Sequence, residues 1–177
     1  DYGIVSNHIQ LDLINLSSSG LEWLDSPIEA GAAKPIIMQL TNYKIGSTFN
    51  ISARIKGHSE NANTSSAHEI SILYNDISGA QIGQTANWSG NVFRNIIENN
   101  QTLTLNDGVN IFYLLNSSSD QNSLPYLDYF ELDYAKKLNF EENYSFFSPI
   151  ENQNVRFDFE RKNPNDVFFW DISDPTN

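Results

Sequence analysis

Apolar and polar residues alternate along most of this chain, and a period of two restricts it to strands with one buried face. Phe49, Ile51, Ala53 and Ile55 alternate with Asn50, Ser52, Arg54 and Lys56. Ile70, Ile72 and Tyr74 alternate with Ser71 and Leu73. The same pattern assigns Ile9, Leu11 and Leu13 to one face, and Val109, Ile111, Tyr113 and Leu115 to another. Turn-forming clusters separate these runs: Ser17-Ser18-Ser19-Gly20, Ile45-Gly46, Asp76 to Gly79, Ser89-Gly90-Asn91, Asp107-Gly108 and Asn116 to Asn122. Short strands at such spacing predict an all-β protein, an antiparallel jelly-roll-like β-sandwich of roughly nine to eleven strands.

Helix is confined to one candidate, Ser26 to Ala33. Ser26 can cap it and Pro27 can occupy its first position, while Gly31 and Pro35 hold it to about two turns. Pro35–Tyr43 and Thr48–Gly57 read as a hairpin joined by Lys44-Ile45-Gly46-Ser47, with the glycine free to take a positive φ. Residues 58–66 hold no apolar group larger than Ala and are expected to form a mobile surface loop. The sandwich is predicted to span residues 1–138. Residues 139–177 would follow as a C-terminal strand extension of the same domain, with Val155, Phe157 and Phe159 alternating and a last strand around Val167 and Phe169.

The charge balance excludes several partners. Ten basic residues stand against 22 acidic ones, a formal net charge of −12. Nothing here could neutralise a run of phosphates, so nucleic acid is excluded, and an anionic leaflet would repel the chain. No apolar run approaches the ~20 residues that span a bilayer, so no membrane insertion is expected. The start at Asp1 is compatible with an upstream segment already removed. Without cysteine there is no disulfide, no thiolate zinc site and no cysteine nucleophile.

Few residues read as chemistry. None of the serines sits in a Gly-x-Ser-x-Gly turn. His58 and His68 flank a polar loop without a companion ligand at usable spacing, so they read as exposed loop histidines rather than metal ligands. Strict alternation over Tyr126–Tyr134 puts Asp128 on one face with Tyr126, Phe130, Leu132 and Tyr134. A carboxylate buried there must be paired, hydrogen-bonded or bound to a cation. Hydrogen bonds from a neighbouring loop are the plainer expectation, and a structural Ca²⁺ is the sharper one; no other cofactor is implied. Trp88 in Ala86-Asn87-Trp88-Ser89-Gly90, with Asn87 beside it, is a candidate stacking platform for a sugar ring, and Trp23 is the other. Either can instead be a plug closing one end of a sandwich.

Two blocks carry a family resemblance: Asn110-Ile111-Phe112-Tyr113-Leu114 with Tyr126-Leu127-Asp128-Tyr129-Phe130-Glu131-Leu132, and Trp170-Asp171-Ile172-Ser173-Asp174-Pro175. Gly20-Leu21-Glu22-Trp23 and Phe49 to Gly57 add to them. Together they resemble the segment ahead of the peptidase domain in gingipain-family cysteine proteinases, above all the PorU-type sortases of the Bacteroidetes type IX secretion system. The resemblance implies a non-catalytic β-domain of an outer-membrane-associated or periplasmic, exported cysteine peptidase. That parent would remove the C-terminal sorting domain of cargo and transfer the cargo to anionic lipopolysaccharide. The implied partners are a downstream caspase-like peptidase domain, secretion-complex subunits and cargo sorting domains. The family's catalytic His and Cys have no counterpart among these residues. A free-standing carbohydrate-binding jelly-roll module on a secreted or surface protein is the competing reading.

Overall fold

The computed structural model describes residues 2–16, 20, 22–59 and 66–137. The C-terminal extension, including Trp170 to Pro175, and loop residues 60–65 lie outside the described residues. Among the described residues ten strands form in chain order: β1 (Tyr2–Ile9), β2 (Ile14–Asn15), β3 (Trp23–Leu24), β4 (Ala33–Gln39), β5 (Phe49–Lys56), β6 (Ala67–Tyr74), β7 (Ala80–Ser89), β8 (Phe93–Gln101), β9 (Val109–Asn116) and β10 (Tyr126–Lys137). A front sheet runs β1-β10-β5-β8 and a back sheet β4-β9-β6-β7, with β2-β3 as a small separate ribbon. Every ladder is antiparallel. The chain changes sheet repeatedly, as in a jelly roll, and the predicted all-β sandwich is the observed fold.

The inner faces of the two sheets make one core. Phe49, Ile51, Ala53 and Ile55 of β5 are buried, as their alternation predicts. Phe130 of the front sheet meets Phe112 of the back sheet with ring centroids 5.4 Å apart, and Tyr74 packs on Phe112 at the same 5.4 Å. Burying each side chain of this size stabilises the fold by about 1.5–3 kcal/mol. Pro35 is tolerated in β4 because that strand is an edge and pairs with β9 alone.

Several local expectations are corrected. No helix forms at Ser26–Ala33: Pro27 bridges Tyr126, and Ala33 already opens β4. There the backbone donors are taken by β10 and its approach, Asp25 N–H by Leu127 O and Ile28 N–H by Pro125 O, both at 2.8 Å. Pro35–Tyr43 and Thr48–Gly57 are not a hairpin, because β4 joins the back sheet and β5 the front. The turn between them does form, with Ser47 N–H donating to Lys44 O and Gly46 at φ 79°. It changes sheet instead of pairing neighbours.

In β9 the core face is Asn110, Phe112, Leu114 and Asn116, while Val109 faces solvent. The run Ile111 to Leu115 is apolar at both parities, so hydropathy alone could not choose. The buried amides are satisfied: Asn110 accepts from Tyr74 Oη at 2.6 Å, and Asn116 donates to Ile28 O at 2.9 Å. Leu11 and Leu13 are also exposed, because β1 ends at Ile9.

Candidate functional site

Trp88 and Asn87 do not come together. Successive strand residues point to opposite faces, so the Trp88 ring turns inward against the core, 5.0 Å from the His68 ring. Asn87 points out and donates to Thr85 O at 3.2 Å. Trp88 is therefore a packing residue, the plug that the sequence also allowed, and not an exposed stacking platform.

The two histidines also differ from expectation. His68 is 1% exposed, its Nδ1 2.8 Å from Ser123 Oγ, and His58 sets its ring edge against Tyr126 at 5.6 Å. Ser59 and Ser66, expected at the ends of a mobile loop, are buried. Burial holds the His68 imidazole below the ordinary histidine range; the Gly90 carbonyl and Asp120 oppose that shift and His58 reinforces it. The His68–Ser123 contact has nucleophile-and-base spacing, but both side chains are enclosed and Ser123 Oγ also accepts from Asn116 Nδ2 at 3.2 Å. It is a structural clamp, closed to substrate.

A cleft of about 370 Å³ does open on the outer face of the front sheet, lined by Gln10, Asp12, Glu22, Trp23, Arg54, Phe93 and Asp128. Its floor is made by β5 and β10, and a bulge shapes it. Leu127 pairs with Ile55 and Tyr129 with Arg54, leaving Asp128 as the extra residue. The bulge shifts the parity of β10, so Leu127 replaces Asp128 in the core and the carboxylate turns outward. The expectation that Asp128 shares a face with Phe130, Leu132 and Tyr134 is corrected accordingly.

Once outside, Asp128 is 14% exposed and its Oδ2 lies 3.3 Å from Arg54 Nη1. The guanidinium in turn stacks 3.9 Å from the centre of the Phe93 ring. Burial raises the Asp128 carboxyl above the usual range; Arg54 pulls it down, and Asp12 and Glu22 push it further up. Asp128 was the candidate calcium ligand, yet Arg54 stands where a cation would. Among the described residues no three His, Cys, Asp or Glu side chains are grouped to hold a metal ion.

The other two carboxylates have partners as well. Glu22 pairs with Lys56 at 3.1 Å, and Asp12 accepts from Gln10 Nε2 at 3.1 Å. Trp23, the second tryptophan singled out from sequence, stands at the lip, 46% exposed, with its indole N–H donating to Gly20 O at 3.2 Å. Beside the cleft, His8 stacks on Tyr129 at 5.3 Å and meets Glu131 at 3.1 Å. Arg54, Phe93, Gln10, Asp12 and Glu22 were not foreseen. The available signal was Arg54 and Lys56 in succession on the outward side of β5.

No protein-family profile matches the sequence, and no curated protein matches it. Solved structures do. The chain is similar to dimeric latent PorU from Porphyromonas gingivalis, with a TM-score of 0.66 and 14% identity over 88% of this chain. It spans only 15% of that protein's length. Looser likenesses include the carbohydrate-binding module CBM36 in complex with calcium and xylotriose, at a TM-score of 0.43 and 16% identity, covering 71% of this chain and 98% of that one. A family 35 carbohydrate-binding module from an environmental isolate gives 0.45 and 16%, covering 75% of this chain and 87% of that one. What this chain has in common with PorU at such identity is the fold of one segment.

Proposed function

We propose that this chain is the non-catalytic β-domain of an exported, PorU-like C-terminal signal peptidase and sortase of a type IX secretion system. It orients a caspase-like peptidase domain, cargo sorting domains or partner subunits at the cell surface, the outer membrane or the periplasm. One observation carries this reading: a single segment of PorU accounts for 88% of the chain at a TM-score of 0.66. The ordered blocks Asn110–Leu114 and Tyr126–Leu132 support it, since they build β9 and β10, the strands that supply Phe112 and Phe130 to the centre of the core. With no cysteine in the sequence, a cysteine-peptidase reaction needs a nucleophile from elsewhere in the parent. The encoding gene tests the reading. An open frame continuing into a domain with a caspase-like His and Cys is expected, and a frame joined to any other kind of domain would refute it.

A second reading, a carbohydrate-binding module, is favoured by the cleft, where Trp23 is exposed beside a mixed set of hydrogen-bond donors and acceptors. Titration of the chain with oligosaccharides, with and without Ca²⁺, tests it.

A further inference from the structure

Resting on the carbohydrate reading, we infer that the front-sheet cleft holds one ring of an uncharged glycan, with Trp23 as its aromatic wall and the Arg54–Asp128 pair as its polar floor, without a metal ion.

Electrostatics selects the ligand class. An anionic ligand would meet the carboxylates of Asp12, Glu22 and Asp128. A cation, calcium included, would meet the Arg54 guanidinium already 3.3 Å from Asp128 and the Lys56 ammonium 3.1 Å from Glu22. Asp128 and Glu22 already have cationic partners and Asp12 is held by the Gln10 amide, so an anion is repelled and a cation finds most of the negative charge already matched. A neutral polyol loses nothing by this balance. Its hydroxyls both donate and accept, matching carboxylate acceptors, the guanidinium fork and the Gln10 amide.

Geometry excludes one rival, strand addition by an extended peptide. The floor is β5 and β10, the two central strands of the front sheet, and each is paired on both sides. Strand addition needs a free edge, which this floor lacks. The aromatic groups fit a ring instead. Trp23 has its N–H tied to Gly20 O and about half of its surface open, so its indole is oriented before any ligand arrives. Phe93 is held by Arg54 at 3.9 Å and by the Lys56 ammonium at 4.5 Å, which fixes the floor. Such preorganisation spares the ordering cost of binding.

Protein NMR on the full chain tests the proposal, with neutral trisaccharides of glucose, xylose, mannose and N-acetylglucosamine as probes, in EDTA and then in Ca²⁺. Saturable shifts of the Trp23 indole and Arg54 signals with at least one probe are expected, unchanged by EDTA. Trp23→Ala and Arg54→Met should each weaken that binding about tenfold or more, a factor worth 1.4 kcal/mol, while the remaining spectrum shows an intact fold. Binding that shifts Trp88 and survives Trp23→Ala would overturn this site but keep the carbohydrate reading. Binding that requires Ca²⁺ would overturn the metal-free floor. Silence toward every probe would overturn both.

Discussion

Arg54 on β5 and Asp128 on β10 face one another across the front sheet only because β10 carries one residue too many at that point. In an unbulged ladder Asp128 would point into the core beside Phe130, where an ionised carboxylate is costly. The extra residue converts a core position into a half-sheltered surface pair, with Phe93 supporting the cation.

The two halves of that pair should not be equivalent. Arg54→Met leaves a desolvated carboxylate without its counter-charge, whereas Asp128→Asn leaves a guanidinium still stacked on Phe93. Arg54→Met is expected to lower stability by about 1 kcal/mol, and Asp128→Asn by clearly less. Denaturant midpoints of the two variants check this, and carbon-detected titration should find the Asp128 carboxyl moved further up in Arg54→Met.

His68 gives the fold a pH dependence of known sign. Burial holds its folded-state pKa below the ordinary 6.5, so the unfolded chain takes up the proton first. Its contribution is complete above 6.5 and is lost as pH falls through the window below that value. Unfolding free energy should therefore decline as pH falls below 6.5, ahead of the range where carboxylates titrate. His68→Asn should flatten that slope, even if it also costs stability at pH 8.

Gly57 has no room for a methyl group. A Cβ there would stand 2.3 Å from the Gly90 carbonyl oxygen, 2.7 Å from Trp88 Nε1 and 2.9 Å from His68 Cδ2. The nearest atom is backbone and cannot swing aside, so Gly57→Ala is expected to cost about 3 kcal/mol. Gly46→Ala supplies the contrast: its Cβ meets open space and only the positive φ is penalised, about 1 kcal/mol. Thermal unfolding of the two variants separates close approach from backbone strain.

Phe112 and Phe130 tie the sheets together, and neither is exposed. Phe112→Ala should cost about 3–5 kcal/mol, because both neighbouring rings, Tyr74 and Phe130, lose their contact at once. Trp88→Ala should cost less, since its indole is only partly buried at the margin of the core. Calorimetry on the two variants gives the ranking.

The architecture was legible where one parity of a strand was apolar and the other was not. β5 meets that condition throughout, and its buried set matches the pattern residue for residue. β9 does not: Ile111 to Leu115 can face either way, and the choice falls to Asn110 and Asn116, whose partners lie at remote positions. The turn at Lys44–Ser47 was readable as a turn, but a turn carries no record of which sheet receives the next strand. The cleft was the least legible part. It gathers residues 10, 12, 22, 23, 54, 93 and 128, and it exists because of a bulge that leaves no mark in hydropathy.

The position of β10 between β1 and β5 also decides when the front sheet can first close during synthesis. As the chain emerges from its N-terminus, β1 finds no neighbour, and β5 lacks one flank until the residues up to Lys137 have arrived. Strand pairings this distant in sequence form slowly. The front sheet is therefore complete only once its last described strand, β10, has been made.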